Sequence, residues 1–301
     1  MTQQRSNTWL WILVVGGILF FFIVCLLVIV MALTMDDGFS PSSFSSEQIA
    51  SLEISGTIDD SKEFVDELNS YGNRSNVKSV IIRIDSPGGG VAASQEIYEA
   101  IKKFREETRK PVVVSMASTA ASGGYYIACA ADKIFANPGT ITGSIGVITQ
   151  WYDYSDVLRW AKMQHVVIKS GELKDAGSGS RPLTEKEKAY FQALIDDLYG
   201  QFVSAVAESR DMEEEEVRKL ADGRVFSGRE AKEHLLIDEI GTFQDAVDET
   251  AKMSGISGKP RLLVPIKKRR SALNLVLGDA KSILPLAGGS GANIRFEYLW
   301  R

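Results

Sequence analysis

The sequence predicts an α/β fold, a parallel sheet covered by helices, with one N-terminal transmembrane helix. Three observations predict this fold. Residues 6–35 carry no charged side chain. Short β-branched runs, such as residues 80–84, alternate with amphipathic helical patterns, such as residues 92–104, which is typical of parallel sheets. The chain has 301 residues, and this length is enough for an anchor and one well-buried domain of roughly 220–260 residues.

The apolar segment at residues 9–34 is long enough to cross a bilayer, which takes about 20 residues. A cleaved signal peptide is the alternative, but its apolar stretch usually spans only about 7–15 residues. Arg5 precedes the segment, and two aspartates follow it. The positive-inside rule therefore places residues 1–8 in the cytoplasm. We expect a single-pass protein of the cell membrane that contacts lipid through this helix, with its catalytic domain on the extracytoplasmic side.

Composition divides the rest of the chain into a linker at residues 35–47, a domain at residues 48–255 and a tail at residues 256–301. The tail loses clear periodicity but ends in an extended-looking apolar and basic stretch. Whether its residues 296–300 enter the chain's own site is open at this point. Within the domain the pattern predicts strands at residues 49–54, 80–84, 111–116 and 166–168, and helices at residues 61–69, 92–104, 122–130, 184–209 and 242–253.

Charge and cysteine content exclude several classes of protein. The net charge of −5 disfavours a nucleic-acid-binding protein, whose footprint is basic. The chain has two cysteines without CxxC spacing, so neither a zinc site nor a disulfide framework is predicted. We expect no metal and no cofactor.

Two glycine-rich turns follow neighbouring predicted strands. Asp85-Ser86-Pro87-Gly88-Gly89-Gly90 follows residues 80–84, and it lacks the Gly-Lys-Ser/Thr of a phosphate loop. Ala120-Ala121-Ser122-Gly123-Gly124 follows residues 111–116. Taken alone, Ser122 is equally consistent with a helix N-cap and with a nucleophile whose oxyanion is stabilised by the Gly123 N–H. Because parallel strands deliver both turns to the same sheet edge, the pair favours the nucleophile.

A nucleophilic serine needs a base. The chain has only two histidines, His165 and His234, and the sequence spacing indicates no carboxylate partner for either of them. A lysine can replace histidine when desolvation lowers its pKa. Position alone does not separate Lys174 from Lys169 or Lys162.

Together these stretches resemble the signal peptide peptidase SppA family, the S49 serine-lysine peptidases. The resemblance implies a fold like the Clp protease and crotonase proteins, with Ser122 as the nucleophile and Lys174 as the general base. It also implies that Gly89 and Gly123 supply the oxyanion amides. Ser144 and, less directly, Ser118 are further candidates to hydrogen-bond the lysine. The matching stretches are residues 85–91, 118–127, 131–148, 169–175 and 221–228.

The chain holds one copy of the domain, so it resembles the short, membrane-anchored, single-domain type. That type assembles into homo-oligomeric rings in which a neighbouring protomer can supply the lysine. The implied activity is acyl-enzyme hydrolysis of remnant signal peptides or other small unfolded peptides near the membrane. Two rival hypotheses are a crotonase-type acyl-CoA enzyme and a non-catalytic membrane scaffold that binds peptides. A crotonase-type enzyme would require neither a membrane span nor a serine at position 122.

Overall fold

The computed structural model describes residues 18–26, 47–265 and 296–300. The chain divides into two units, Met1–Ser46 and Glu47–Arg301. In the first unit, residues 18–26 are helical. The rest of the predicted span at residues 9–34 lies outside the described residues, as does almost all of the predicted linker. In the described ranges, no helix combines the length and the apolar character needed to cross a bilayer.

The described strands of the second unit are β1 (Gln48–Ser55), β2 (Val77–Ser86), β3 (Gly88–Gly90), β4 (Val112–Ala121), β5 (Lys133–Ala136), β6 (Ile141–Gly143), β7 (Val225–Ser227), β8 (Glu239–Ile240), β9 (Arg261–Leu263) and β10 (Glu297–Leu299). Eight of them form a mainly parallel sheet with the strand order β7-β6-β4-β2-β1-β9. β5 pairs with β4 and carries β8 on its other side, while β6 and β7 are antiparallel. A separate two-stranded sheet joins β3 to β10.

Helices cover both faces of the large sheet, as the sequence predicts. The helices of the second unit are α1 (Lys62–Gly72), α2 (Val91–Thr108), α3 (Gly123–Ala128), α4 (Ser155–Trp160), α5 (Glu185–Arg210), α6 (Glu214–Leu220), α7 (Gly228–Glu233) and α8 (Phe243–Met253), with a 3₁₀ turn at Glu172–Asp175. On one face, Ile49, Ile81 and Val113 of adjacent strands pack against α8. On the other face, Leu52, Ile82 and their neighbours pack against α1, α2, α3 and α5.

The continuous apolar run of β2 explains its central place. Val80, Ile81, Ile82 and Ile84 are all fully buried, because side chains on both faces of this strand meet covering helices. A strand of a parallel sheet reads as such a run rather than as an alternation.

The predicted strand at residues 166–168 is wrong. This segment has no regular secondary structure, and Val166, Val167 and Ile168 are all exposed. β-branched residues favour a strand only where a neighbouring strand and a covering layer accept them. Here the run lies at the surface, and no ladder pairs it with a described strand.

Candidate active site

Ser122 occupies a strained turn between β4 and α3. Its φ is +52° and its ψ is −114°, a conformation that costs a non-glycine residue about 1–3 kcal/mol. Its N–H donates to the carbonyl of Gly143 at 2.7 Å, and its carbonyl accepts from the N–H of Tyr126 at 2.8 Å. Ser122 occupies the N-cap position of α3, but its side chain accepts no hydrogen bond from a helix N–H. A strained strand-to-helix turn that presents a serine is the arrangement of many hydrolase nucleophiles.

The two glycine turns meet at Ser122. A Cβ on Gly88 would lie 2.8 Å from the Gly123 nitrogen, and a Cβ on Gly123 would lie 3.2 Å from the Gly89 nitrogen. Gly88 also has a φ of +103°, which side-chain-bearing residues rarely adopt. These contacts bring the amides of Gly89 and Gly123 to the same place, beside Ser122.

Two side chains, those of Ser86 and Asp85, accept backbone hydrogen bonds that shape the first glycine turn. The Gly88 N–H donates to the hydroxyl of Ser86 at 3.0 Å. The carboxylate of Asp85 accepts from the Thr119 N–H at 3.0 Å, which ties the first turn to β4. This hydrogen bond gives Asp85 a structural role.

β10 lies antiparallel against the first glycine turn, with Tyr298 opposite Gly89. The Val91 N–H donates to the Phe296 carbonyl at 3.3 Å, and the Trp300 N–H donates to the Pro87 carbonyl at 2.8 Å. Since hydrogen-bonded pairs alternate along antiparallel strands, Gly89 and Tyr298 form the hydrogen-bonded pair between these two bonds.

The carbonyl oxygen of Tyr298 consequently lies among the glycines. A Cβ on Gly88 would lie 1.9 Å from this oxygen, and a Cβ on Gly123 would lie 3.2 Å from it. The opposite edge of β10 is also paired, because Glu297 and Ile148 exchange two backbone hydrogen bonds of 3.0 Å. An extended peptide segment thus lies in a groove between residues 88–90 and Ile148, with one carbonyl beside Ser122.

Comparison with known proteins decides the family. The model of Peptidase family S49 matches residues 104–257, about half of the chain, and a Clp protease model matches residues 42–141. "Putative protease slr0021" of Synechocystis sp. is 38% identical over 246 residues, which are 81% of this chain and 88% of that protein. "Putative signal peptide peptidase SppA" of Enterococcus faecium is 37% identical over 69% of this chain and 64% of its own length. "Protease 4" of Haemophilus influenzae is 34% identical over 68% of this chain, but over only 35% of its own length.

The chain belongs to Peptidase family S49. It is accordingly a serine peptidase, and its Clp protease-like fold is as the sequence predicts. The stretch matched by the Clp protease model, residues 42–141, contains both glycine turns. In this S49 peptidase, the two glycine turns that meet at Ser122 therefore belong to the part of the chain that matches the Clp protease fold.

Ser144 lies next to Ser122 in this S49 peptidase, whereas Ser118 does not belong to the same cluster. β6 pairs Gly143 with Ala121, so Ser122 and Ser144 each directly follow a paired residue at the same sheet edge. Ser144 is buried, has a φ of +51°, and donates its N–H to the carbonyl of Arg224 at 2.8 Å. Ser118 is exposed, in the part of β4 where the register with β2 shifts.

Lys174 lies in the 3₁₀ turn Glu172–Asp175 and is exposed. Within the described residues, the Lys174 ammonium group forms neither a hydrogen bond nor an ion pair, so no hydrogen bond joins it to Ser122. The neighbouring carboxylate of Asp175 binds Arg181 and Lys169 instead. Hydrogen bonds from these two cations lower the pKa of Asp175 to about 2. Asp175 therefore has other partners than the lysine beside it.

The two histidines have other contacts in this S49 peptidase. The Nδ1 atom of His165 shares a hydrogen bond of 2.8 Å with the hydroxyl of Ser180. The ring of His234 packs edge-on against Phe226 at 5.3 Å. Among the described residues, no group of three His, Cys, Asp or Glu side chains is placed to hold a metal ion.

Two parts of the site are not predicted by the sequence. Residues 296–300 lie in the groove beside Gly88–Gly90. The sequence indicates an extended apolar and basic end, but it does not indicate the partner of this stretch. Ser94 was also missed: it is buried, its hydroxyl donates to the Gly90 carbonyl at 3.0 Å, and a Cβ on Gly123 would lie 2.5 Å from its Oγ.

Proposed function

We propose that this chain is a membrane-anchored endopeptidase that hydrolyses extended, unfolded peptides through an acyl-enzyme on Ser122. The observation that carries the proposal is the groove beside Ser122, which holds an extended segment by backbone hydrogen bonds on both edges. Such pairing is independent of side chains and suits unfolded substrates of varied sequence. Folded proteins rarely present the free edge of an extended segment that this pairing requires.

In the proposed reaction, the neutral amine of Lys174 takes the proton of the Ser122 hydroxyl as Oγ attacks the peptide carbonyl. The N–H groups of Gly89 and Gly123 stabilise the oxyanion, each by roughly 3–4 kcal/mol. Lys174 then protonates the leaving amine, and it later activates the water that releases the acyl group from Ser122. In this proposal Ser144 hydrogen-bonds the lysine; the pairing of Gly143 with Ala121, which brings both serines to the same sheet edge, supports this role. No metal or cofactor takes part.

The proposed catalytic lysine comes from a neighbouring copy in a homo-oligomeric ring. Two features support this part of the proposal. Lys174 is exposed and has no partner in the described part of its own chain. It also follows a segment, residues 152–168, with large exposed apolar side chains such as Trp160 and Ile168. Burial of this segment against a second copy would remove water from around Lys174, and catalytic lysines typically act in such desolvated surroundings.

The uncharged residues 6–35 support a membrane anchor, with the peptidase unit outside the cytoplasm as the charge distribution predicts. An anchored peptidase works close to segments that are left in or near the membrane. Remnant signal peptides are such segments, and one relative carries the name "signal peptide peptidase". We therefore include them in the proposed substrate class.

Substitution of Ser122 tests the nucleophile. The Ser122→Ala variant is expected to lose about 1,000-fold or more in kcat/KM on a fluorogenic peptide while it keeps its circular dichroism and Tm. Ser70→Ala, at an exposed position in α1, is the matched control and is expected to retain activity. Retained turnover by Ser122→Ala would overturn the proposal.

The same assay tests the base. Lys174→Ala is expected to be inactive, and mixing it with inactive Ser122→Ala is expected to restore part of the activity if sites are shared between copies. An active Lys174→Ala variant would exclude Lys174 as the base. If that variant is inactive and the mixture shows no recovery, the lysine acts within its own chain.

A further inference from the structure

Ser94 lies in the first turn of α2, in contact with both glycine turns. It is 0% exposed, and its hydroxyl donates to the Gly90 carbonyl at 3.0 Å. Gly90 is the N-cap residue of α2 and the last residue of the first glycine turn. The same oxygen atom of Ser94 lies against the second turn, since a Cβ on Gly123 would come within 2.5 Å of it. One buried hydroxyl group therefore touches both turns.

Helix formation and packing do not explain a serine at position 94. Alanine is a better helix former and carries no polar group that needs a partner, and alanine fills the two preceding positions of the same turn. A serine inside a helix often bonds the carbonyl four residues earlier. Here that carbonyl belongs to the first glycine turn, so the bond ties the helix to the site.

The first glycine turn is held by backbone hydrogen bonds to Ile58. The Gly90 N–H donates to the Ile58 carbonyl at 2.8 Å, and the Ile58 N–H donates to the Gly88 carbonyl at 2.9 Å. Because successive N–H groups of an extended strand point to opposite sides, the N–H of Gly89 points away from Ile58. Its nitrogen lies close to the second turn, 3.2 Å from where a Cβ on Gly123 would be. Ile58 thus fixes the first turn, whereas other contacts set its distance from the second.

We propose that Ser94 is a positioning residue that sets the spacing between the amides of Gly89 and Gly123; this rests on the proposed function of Ser122. The single hydroxyl proton of Ser94 goes to the Gly90 carbonyl, so Ser94 donates nothing to the oxyanion itself. Its oxygen instead limits how closely Gly123 approaches the first turn. Oxyanion donors act at about 2.7–3.1 Å from the developing charge, so a small change in their spacing lowers the rate.

Removal of the Ser94 hydroxyl is expected to weaken the transition state and to leave substrate binding unchanged. Loss of a whole oxyanion donor lowers kcat by about 100- to 1,000-fold. Ser94→Ala removes no donor, but it leaves Gly123 free to shift. We therefore expect kcat to fall by about 10-fold at an unchanged KM, which is the result for an interaction made only in the transition state.

The first experiment measures peptide hydrolysis by the full chain, with the concentration of active sites titrated by an acylating inhibitor. In Ser94→Ala, kcat per titrated site should fall about 10-fold, and the Ki of a peptide aldehyde should rise by the same factor. The aldehyde carbonyl adds the Ser122 hydroxyl to form a hemiacetal, whose oxygen lies where the oxyanion of the reaction would lie. An unchanged kcat per titrated site, an unchanged aldehyde Ki, or a rise in KM in place of the fall in kcat would overturn the inference.

Ser79→Ala is the matched control for this experiment. Ser79 is also 0% exposed, and its hydroxyl makes one hydrogen bond, to Ser254 at 3.1 Å. It lies near the start of β2, at the opposite end of the strand from the first glycine turn. This variant should show a similar fall in Tm but wild-type kcat, KM and aldehyde Ki. An equal loss of kcat in Ser79→Ala would mean that a lost buried hydrogen bond alone explains the effect, and the inference would fail.

The second experiment tests the contact itself through Tm. Gly123→Ala places a Cβ 2.5 Å from the Ser94 oxygen, too close for both atoms to stay in place. Ser94→Ala removes that oxygen, so the fall in Tm caused by Gly123→Ala should be smaller when the two substitutions are combined. Additive falls in Tm would show that Ser94 does not limit the approach of Gly123.

Failure of this inference and failure of the proposed function give different results. If Ser122→Ala cleaves as fast as wild type, the proposed nucleophile fails. If cleavage depends on Ser122 but Ser94→Ala matches wild type in kcat per titrated site and in aldehyde Ki, only the role of Ser94 fails.

Discussion

Ser122 adopts an unfavourable backbone conformation, and the residues around it explain why it persists. Its N–H and carbonyl are both bonded, to Gly143 and Tyr126, so the strain is held by β6 on one side and α3 on the other. The flanking glycines leave room for the two turns to approach within contact distance. The close approach of the two turns requires glycine, and it also brings the amides of Gly89 and Gly123 to one point. The packing of the turns and the proposed chemistry therefore have the same cause.

At the scale of the residue, Gly89→Ala is predicted to disrupt the site. A Cβ at this position would lie 2.2 Å from the carbonyl oxygen of Ile58 and 2.5 Å from its nitrogen, and both are backbone atoms that cannot rotate away. We expect a loss of about 1–3 kcal/mol in the free energy of unfolding from overpacking. Displacement of the Gly89 amide should lower kcat/KM by about 100-fold or more.

Gly139→Ala is the control for this prediction. A Cβ at position 139 would meet no atom within 4 Å, and Gly139 lies in a surface turn. This variant should match wild type in both denaturant unfolding and peptide hydrolysis. Wild-type activity in Gly89→Ala would show that the first glycine turn does not need its close contact with Ile58.

At the scale of the element, an ion cluster fastens the turn that carries Lys174 to the start of α5. The guanidinium of Arg181 binds the carboxylates of Asp175, at 3.0 Å, and of Glu187, at 2.5 Å. Glu187 is buried and also closes the capping box of Thr184. Hydrogen bonds from Arg181 lower the pKa of both carboxyls to about 2. Arg181 therefore helps to hold the turn that carries Lys174. Lys169 and Lys186 hold the same turn through Asp175 and Glu172.

Arg181→Gln is predicted to loosen this turn. Amide hydrogen exchange of residues 171–178 should become faster at neutral pH, and peptidase activity should fall because the proposed base is no longer held. Lys188→Gln, which removes only an exposed pair with Glu185, is the control and should leave both unchanged. Unaltered exchange in Arg181→Gln would contradict the role of the cluster.

The lowered pKa values of Asp175 and Glu187 also make the stability of this turn depend on pH. A carboxyl whose folded-state pKa is lowered stabilises the fold above its ordinary pKa of about 4, and this contribution is lost as the pH falls toward the folded value. Protection of residues 171–178 in the wild type should therefore persist from neutral pH to about pH 4 and decline between pH 4 and pH 2. In Arg181→Gln the decline should be much smaller.

The strands also show which parts of the fold can be predicted from the local sequence pattern and which cannot. β2 and β4 and their glycine turns were predictable, because buried parallel strands have continuous apolar runs and the turns need glycine. Residues 166–168 have the same β-branched character, yet they form no strand, since strand formation depends on a partner elsewhere in the chain. For the same reason, the end of the chain was recognisable as extended, but its partner, more than 200 residues away at Gly88–Gly90, was not.

At the scale of the whole molecule, the segment between β6 and α5 differs from the rest of the domain. It presents large apolar side chains to solvent, among them Tyr152, Trp160 and Ile168. A patch of large exposed apolar side chains favours an interaction site. Lys174 lies shortly after this segment in the chain, so we expect a partner that covers the patch to change the solvation of the proposed base as well. Assembly and activity should consequently be lost together.

Ile168→Glu tests that link. Ile168 is 98% exposed, so the substitution removes no packing within the chain and should change its free energy of unfolding by no more than about 0.5 kcal/mol. A buried charge opposes association, because it would have to be desolvated at the contact. Analytical ultracentrifugation of the detergent-solubilised chain should therefore show a lower mass than for wild type, with a parallel loss of kcat/KM. Val264→Glu introduces the same charge at an exposed apolar position outside the patch and should change neither quantity. If Ile168→Glu keeps the wild-type mass and activity, residues 152–168 do not form the contact between copies, and the lysine must be brought to Ser122 in another way.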